Sequence, residues 1–183
     1  MRRPLVLIAV LLIGIIAVGC GNADEPTTVG ETEATYLQLG GLQYQVQLSR
    51  QLNPADVEDR SYIQGAADQS PTGRDNTWFG VFVRVKNDGD VPATATSDFA
   101  IHDTQGNEYE PVPLDDTNVF RYQPAQLQPD AMLPAPGSVA FNTPIRGSLL
   151  LFRIKIESFE NRPLELVISQ PGSDVHAQVA LDV

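Results

Sequence analysis

From residue 36 onward, apolar and polar positions alternate with a period of two. In "LQYQVQLS", Leu42, Tyr44, Val46 and Leu48 point one way while Gln43, Gln45, Gln47 and Ser49 point the other. This pattern marks a strand with one face on a core and the other in water. In "TWFGVFVRVKNDGD", Phe79, Val81, Val83 and Val85 share a face, and the opposite face carries Trp78, Gly80 and Phe82 before turning polar at Arg84. An apolar residue on both faces predicts a central strand. Further strands are expected at 91–96, at 99–103 and 108–112 flanking the hairpin signal "TQGN", and in "SVAFNTP", "LLLFRIKI", "LELVIS" and "VHAQVALDV". No window after residue 35 holds a helical period, and fourteen prolines punctuate the runs. A single helical turn is expected at "NPADVED", with Asn53 as cap, Pro54 at the first helical position and Asp56 at the positive N-terminus. Many short strands with regular turns predict an all-β fold, an antiparallel sandwich or barrel of about nine strands.

The N-terminus is patterned differently. Arg2 and Arg3 precede a run from Leu5 to Gly19 without a charge, which is short for a membrane span and suits the hydrophobic region of a signal peptide. Ala17, Val18 and Gly19 then lead to Cys20, the only cysteine of the chain. The order of charged head, apolar run, small residue and cysteine resembles the lipobox of bacterial lipoproteins. The resemblance implies cleavage after Gly19 and a lipid on Cys20; it departs from the family pattern in having Ala17 where leucine is preferred. The alternatives are an uncleaved signal anchor with an unmodified cysteine, or ordinary secretion. All three put the domain outside the cytoplasm, since Arg2 and Arg3 stay inside.

Three segments follow: a signal peptide at 1–19, a lipidated acidic tether at 20–35 and one domain at 36–183. The tether "GNADEPTTVGETEAT" has one large apolar residue, Val29, and reads as a flexible stalk of roughly 20 Å typical span. The exported chain carries 10 basic and 23 acidic residues, a balance that opposes nucleic acid and anionic headgroups. With Cys20 acylated the domain has no thiol, which excludes disulfides, zinc–cysteine sites and a cysteine nucleophile.

The stretch from Thr77 to Ser169 resembles a family of immunoglobulin-like domains of unknown function found in Gram-positive and actinobacterial lipoproteins, related in fold to a secreted mycobacterial immunogenic protein. The shared features are a hydrophobic strand ending in Asn ("WFGVFVRVKN"), then "FAIHDTQGNEY", then "LPAPGSVAFNTP". The resemblance implies an immunoglobulin-like β-sandwich and an extracytoplasmic location, and it brings no catalytic residues.

Candidate chemistry is sparse. His102 and His176 alternate away from apolar neighbours, which predicts exposed positions, and no GxSxG elbow is present, so no enzyme is expected. Copper is excluded by the lack of His, Cys and Met clusters; only Met132 remains after cleavage. For calcium, Asp88 and Asp90 in "NDGD" and Asp115 and Asp116 in "LDDTN" offer hard oxygen donors, against the plainer role of stabilising turns. No cofactor is expected. Trp78 is expected to pack the sandwich core beneath a central strand, with a recognition role as the alternative. Two long connections, 49–76 and 114–137, exceed what a sandwich needs. They bring Arg50, Arg60, Tyr62, Arg74, Phe120, Arg121 and Tyr122, residue types favoured at interfaces, unless the arginines merely pair with Asp56, Glu58 and Asp59. The expected function is a lipid-anchored, non-catalytic module of the cell envelope that binds a protein partner. The alternative is a small-molecule or Ca²⁺ binder, which a cavity lined by Tyr44, Trp78 or Tyr122 would favour.

Overall fold

A computed structural model describes residues 26–67 and 73–183; Cys20 and the rest of the signal peptide lie outside the described residues. Two sheets face each other. The first has the order β1 (Val29–Gly30), β12 (His176–Ala180), β11 (Glu165–Ser169), β6 (Asp98–His102), β7 (Glu108–Tyr109). The second runs β10 (Ser148–Lys155), β4 (Asn76–Lys86), β3 (Leu42–Leu52), β2 (Leu37–Leu39). The short β9 (Met132–Leu133) pairs with the end of β4, and β5 (Ala93–Thr94) pairs with β8 (Gln126–Leu127). The fold is an all-β sandwich.

The inner core follows the period of two. Phe79, Val81, Val83 and Val85 of β4 and Phe152 and Ile154 of β10 meet Phe99 and Ile101 of β6, Leu166 and Ile168 of β11 and Val179 of β12. All are buried. Strand β4 is central, antiparallel to β10 on one side and β3 on the other, as its two apolar faces predict.

Its second face carries a second core. Trp78 and Phe82 of β4, Leu149 and Leu151 of β10 and Leu52 of β3 form a separate cluster with Tyr62, Ile63 and Ala66, flanked by Leu48, Val112, Leu114, Phe120 and Ile145. Trp78 is fully buried here, on the side of the sheet away from the sandwich interior, which corrects the expectation that it packs between the sheets.

A β-bulge in β3 explains how Leu48 joins this outer cluster. The register against β4 slips between Val46 and Leu48, and one extra residue reverses every later side chain. Leu42, Tyr44 and Val46 therefore face the inner core, whereas Leu48 and Leu52 face the outer one. Uniform alternation through Leu48 is the expectation that fails.

Two helices differ from expectation. Residues 139–142 form a short helix, α2 (Val139–Asn142), where a strand is expected in "SVAFNTP"; Ser138 caps it by accepting from Phe141 N. The earlier helix, α1 (Val57–Ile63), starts three residues after Pro54, the expected first helical position, and is capped by Asp56, whose carboxylate accepts from Glu58 N and Asp59 N. Asn53 instead caps the turn before it, accepting from Ala55 N at 3.0 Å.

Part of the expected tether is built into the sandwich. Val29–Gly30 pairs in parallel with β12. Gln38 N donates to Thr27 O at 2.7 Å and Gln178 N to Thr28 O at 2.8 Å. The Glu33 carboxylate accepts from Ser49 N and from Asp182 N, each at 3.1 Å, joining the segment after the bulge to the C-terminus. These backbone and carboxylate bonds give a polar segment the order that its few apolar residues do not predict.

Candidate functional site

The two long connections converge on the outer face of the second sheet, where their side chains turn inward. Tyr62 is buried edge-on between Phe82 and Phe120, with ring centroids 5.0 and 4.8 Å away. Arg50 pairs with the buried Asp59 and lies 5.8 Å over the Tyr62 ring; the Asp59 hydrogen bond raises the arginine pKa further. Burial, then the Glu58 charge, pushes the Tyr62 phenol up. Arg121 pairs with Asp116. Tyr122 is partly buried against the inner core, where its hydroxyl donates to Thr96 O at 2.8 Å and burial raises its pKa strongly. Thr96 also donates its N–H to the Tyr44 hydroxyl at 3.0 Å and its own hydroxyl to Ser169 O at 2.6 Å, so two tyrosines and both sheets meet at one residue.

Asn118 holds the loops together. Its side-chain amide, 3% exposed, donates to Tyr62 O and Gln64 O, both at 2.8 Å, and its oxygen accepts from Phe120 N. It thereby satisfies carbonyls at the end of α1 that have no partner within the helix. The start of the second connection and the residues just before it run along the outer edge of β10: Val112 N donates to Leu151 O, Tyr122 N to Leu149 O, and Leu149 N to Phe120 O. An open strand edge is an aggregation hazard, and here the loop covers it.

Of the candidate interface, Arg60 and Arg74 stay exposed, together with Val57 and Val119. Arg50, Tyr62, Phe120, Arg121 and Tyr122 are held by contacts within the domain.

The acidic candidates are engaged in local bonds. Asp88 pairs with Lys86. Asp115 accepts from the Thr117 hydroxyl and N–H, which lower its pKa. Asp116 holds Arg121, and Asp90 is exposed. The Asp88 turn lies by Gly41 and Asp115 by Gly65, beyond opposite ends of β3. Among the described residues no three His, Cys, Asp or Glu side chains gather as a metal site. His102 is half-exposed beside Glu108, and His176 is exposed.

The motif residues of the hydrophobic strand and the hairpin are anchors. Asn87 is fully buried and fully bonded: its amide donates to Val91 O and Leu127 O at 2.9 Å, and its oxygen accepts from Gly89 N. Asp103, 7% exposed, accepts from Gln105 N, Asn107 N and both the Asn107 and Asn161 amides. Burial opposes its charge, yet these bonds and one from Ser158 outweigh it and hold the carboxyl far below the usual range.

The described surface carries several concavities, two of them lined by sheet residues together with turn or loop segments. One, about 460 Å³, opens at the β2–β3 turn between Gly40, Gly41, Thr28, Asp88 and Val175. The other, about 650 Å³, lies on the outer face of the second sheet beyond Phe82, between Gln47, Arg84 and the 141–146 segment. Sequence reasoning passed over Arg84 and Arg146. The signal for Arg84 was present, because it continues the outer face of β4 at the point where apolar residues end. Arg146 carries no such mark. A narrower crevice of about 230 Å³ touches Tyr122, while Tyr44 and Trp78 are enclosed in the two cores.

Neither a scan of protein-family models nor a search of curated proteins gives a match. Among solved structures, the chain is similar to the yjhA protein of Bacillus subtilis, with a TM-score of 0.46 and 13% identity over 83% of this chain and 99% of that one. It is likewise similar to an uncharacterised β-sandwich protein of Clostridium difficile, with a TM-score of 0.45 and 11% identity over 84% and 95%. At these scores the assignment to the β-sandwich class rests on the strands and their pairing. No helix among the described residues is long and apolar enough to cross a membrane.

Proposed function

We propose that the protein is an extracytoplasmic lipoprotein, anchored by a lipid on Cys20, that serves as a non-catalytic protein-binding or accessory module of the cell envelope. One observation carries the reading: the single thiol stands directly after an uncharged run, seven residues ahead of Thr27, the first of the described residues to be hydrogen-bonded into the sandwich. Seven residues reach about 25 Å at most. A diacylated cysteine needs no spanning helix, because each buried methylene contributes about 0.8 kcal/mol and two chains hold firmly. The lipid then keeps the β1 edge of the sandwich close to the headgroups. A partner on the same membrane would meet the surface that carries Arg60, Arg74, Val57 and Val119.

Metabolic labelling with palmitate tests the anchor. Wild type should take up label and fractionate with membranes, and Cys20→Ser should lose both; label-free wild type with residue 1 still attached would overturn it. In-cell crosslinking tests the partner: Arg60→Glu should change the crosslinked set, and an unchanged set rejects that surface.

A further inference from the structure

We propose that the concavity bearing Arg84 and Arg146 binds an oxyanion, the carboxylate or phosphate group of a small ligand. The site is independent of the lipid anchor. The two arginines line one hollow of about 650 Å³ together with Gln47, Phe141, Asn142 and Thr143. Neither Arg84 nor Arg146 lies within 4.0 Å of one among the described residues, whereas Arg50 and Arg121 both do. Placing two cations in one hollow is unfavourable until a negative group joins them.

Arg84 also has unused donors. Its guanidinium makes one bond, from Nη2 to Arg146 O at 3.3 Å, and its Nε–H is buried without an acceptor. Such an orphan is uncommon in a folded protein. A planar guanidinium with free N–H groups matches the two oxygens of a carboxylate or phosphate.

The hollow is held rigidly. Arg146 adopts φ +54°, a left-handed conformation that a non-glycine residue takes at a cost. It stays there because Gly147 lies against β4: an added Cβ would meet Phe82 Cβ at 2.8 Å and backbone at 3.0 Å. Thr143 braces the same turn, accepting from Arg146 N at 3.3 Å and donating to Ala140 O at 3.0 Å. Opposite, the bulge sets Gln47 on this side, with its amide donating to Gln45. Strand register and a constrained turn thus set both arginines on the wall of one hollow before any ligand arrives, as a binding site requires.

The test is a titration of the full-length chain at low ionic strength with citrate and, separately, inorganic phosphate, read from arginine Nε–H resonances. Saturable shifts of Arg84 and Arg146 with either anion are expected; citrate alone would point to a carboxylate ligand and phosphate alone to a phosphate ligand. Arg146→Gln, at an exposed position, should weaken binding about tenfold or more, Arg146→Lys less, and the distant Arg162→Gln not at all. No saturable shift with either anion, or an equal loss in Arg162→Gln, overturns the proposal.

Discussion

The inner and outer cores share β3, β4 and β10 and differ in what covers them. The inner core is mainly strand against strand, and most of its residues sit at positions set by a period of two, with Phe159 added from the 3₁₀ turn at 156–160. The outer core is strand against loop: Tyr62, Ile63, Ala66, Leu114 and Phe120 come from segments without periodicity and are held by polar fasteners such as Asn118 and Asp59. A long connection in a sandwich therefore need not be a recognition loop. Here the apolar residues of two such connections find a hydrophobic face already offered by the sheet.

Substitutions can break this comparison. The largest losses are expected in both cores alike: Phe152→Ala inside and Trp78→Ala outside should each cost about 4 kcal/mol in urea unfolding. A Trp78→Ala cost below about 1 kcal/mol would show that the outer cluster is no core. Asn118→Ala should cost about 2–3 kcal/mol, since it strands two buried carbonyls, and its effect should be confined to faster amide exchange in 57–66 and 111–122.

Asp103→Asn should cost about 2 kcal/mol at neutral pH, because an amide offers one acceptor and brings donors against donors. This carboxyl has a folded pKa below its unfolded one, so its contribution is complete above the unfolded value, near 3.9, and fades as pH falls through the folded value. Wild type should lose stability on acidification below that point, and Asp103→Asn should lose less over the same window. Arg60→Ala should lie within about 0.5 kcal/mol of wild type, the smallest effect of the set.

The inner core was legible because strands sort side chains by a local rule. Both apolar faces of β4 were readable too, and correctly marked it as central. What covered its second face was not, since Tyr62 and Phe120 lie far apart in sequence and only the folded chain brings them together. The bulge at Gln47 left no mark in "LQYQVQLS", where alternation continues unbroken while the backbone slips. Helix α2 hid in "SVAFNTP" because β-branched and aromatic residues outweighed a single Ser cap. Residues 27–35 look like a stalk by composition, yet main-chain bonds to β2 and β12 and the Glu33 carboxylate order them. Asn87 and Asp103 stood out in sequence as parts of a pattern, and their work as fully bonded buried anchors emerged only with their partners.

Amide hydrogen exchange of the full-length chain tests most directly whether the long connections are structure. The amide of Tyr122 in the second connection, which donates to β10, should exchange as slowly as those in the centre of β4, because it opens only when the outer core does. Exchange at the rate of a solvated loop, with β4 still protected, would contradict the account.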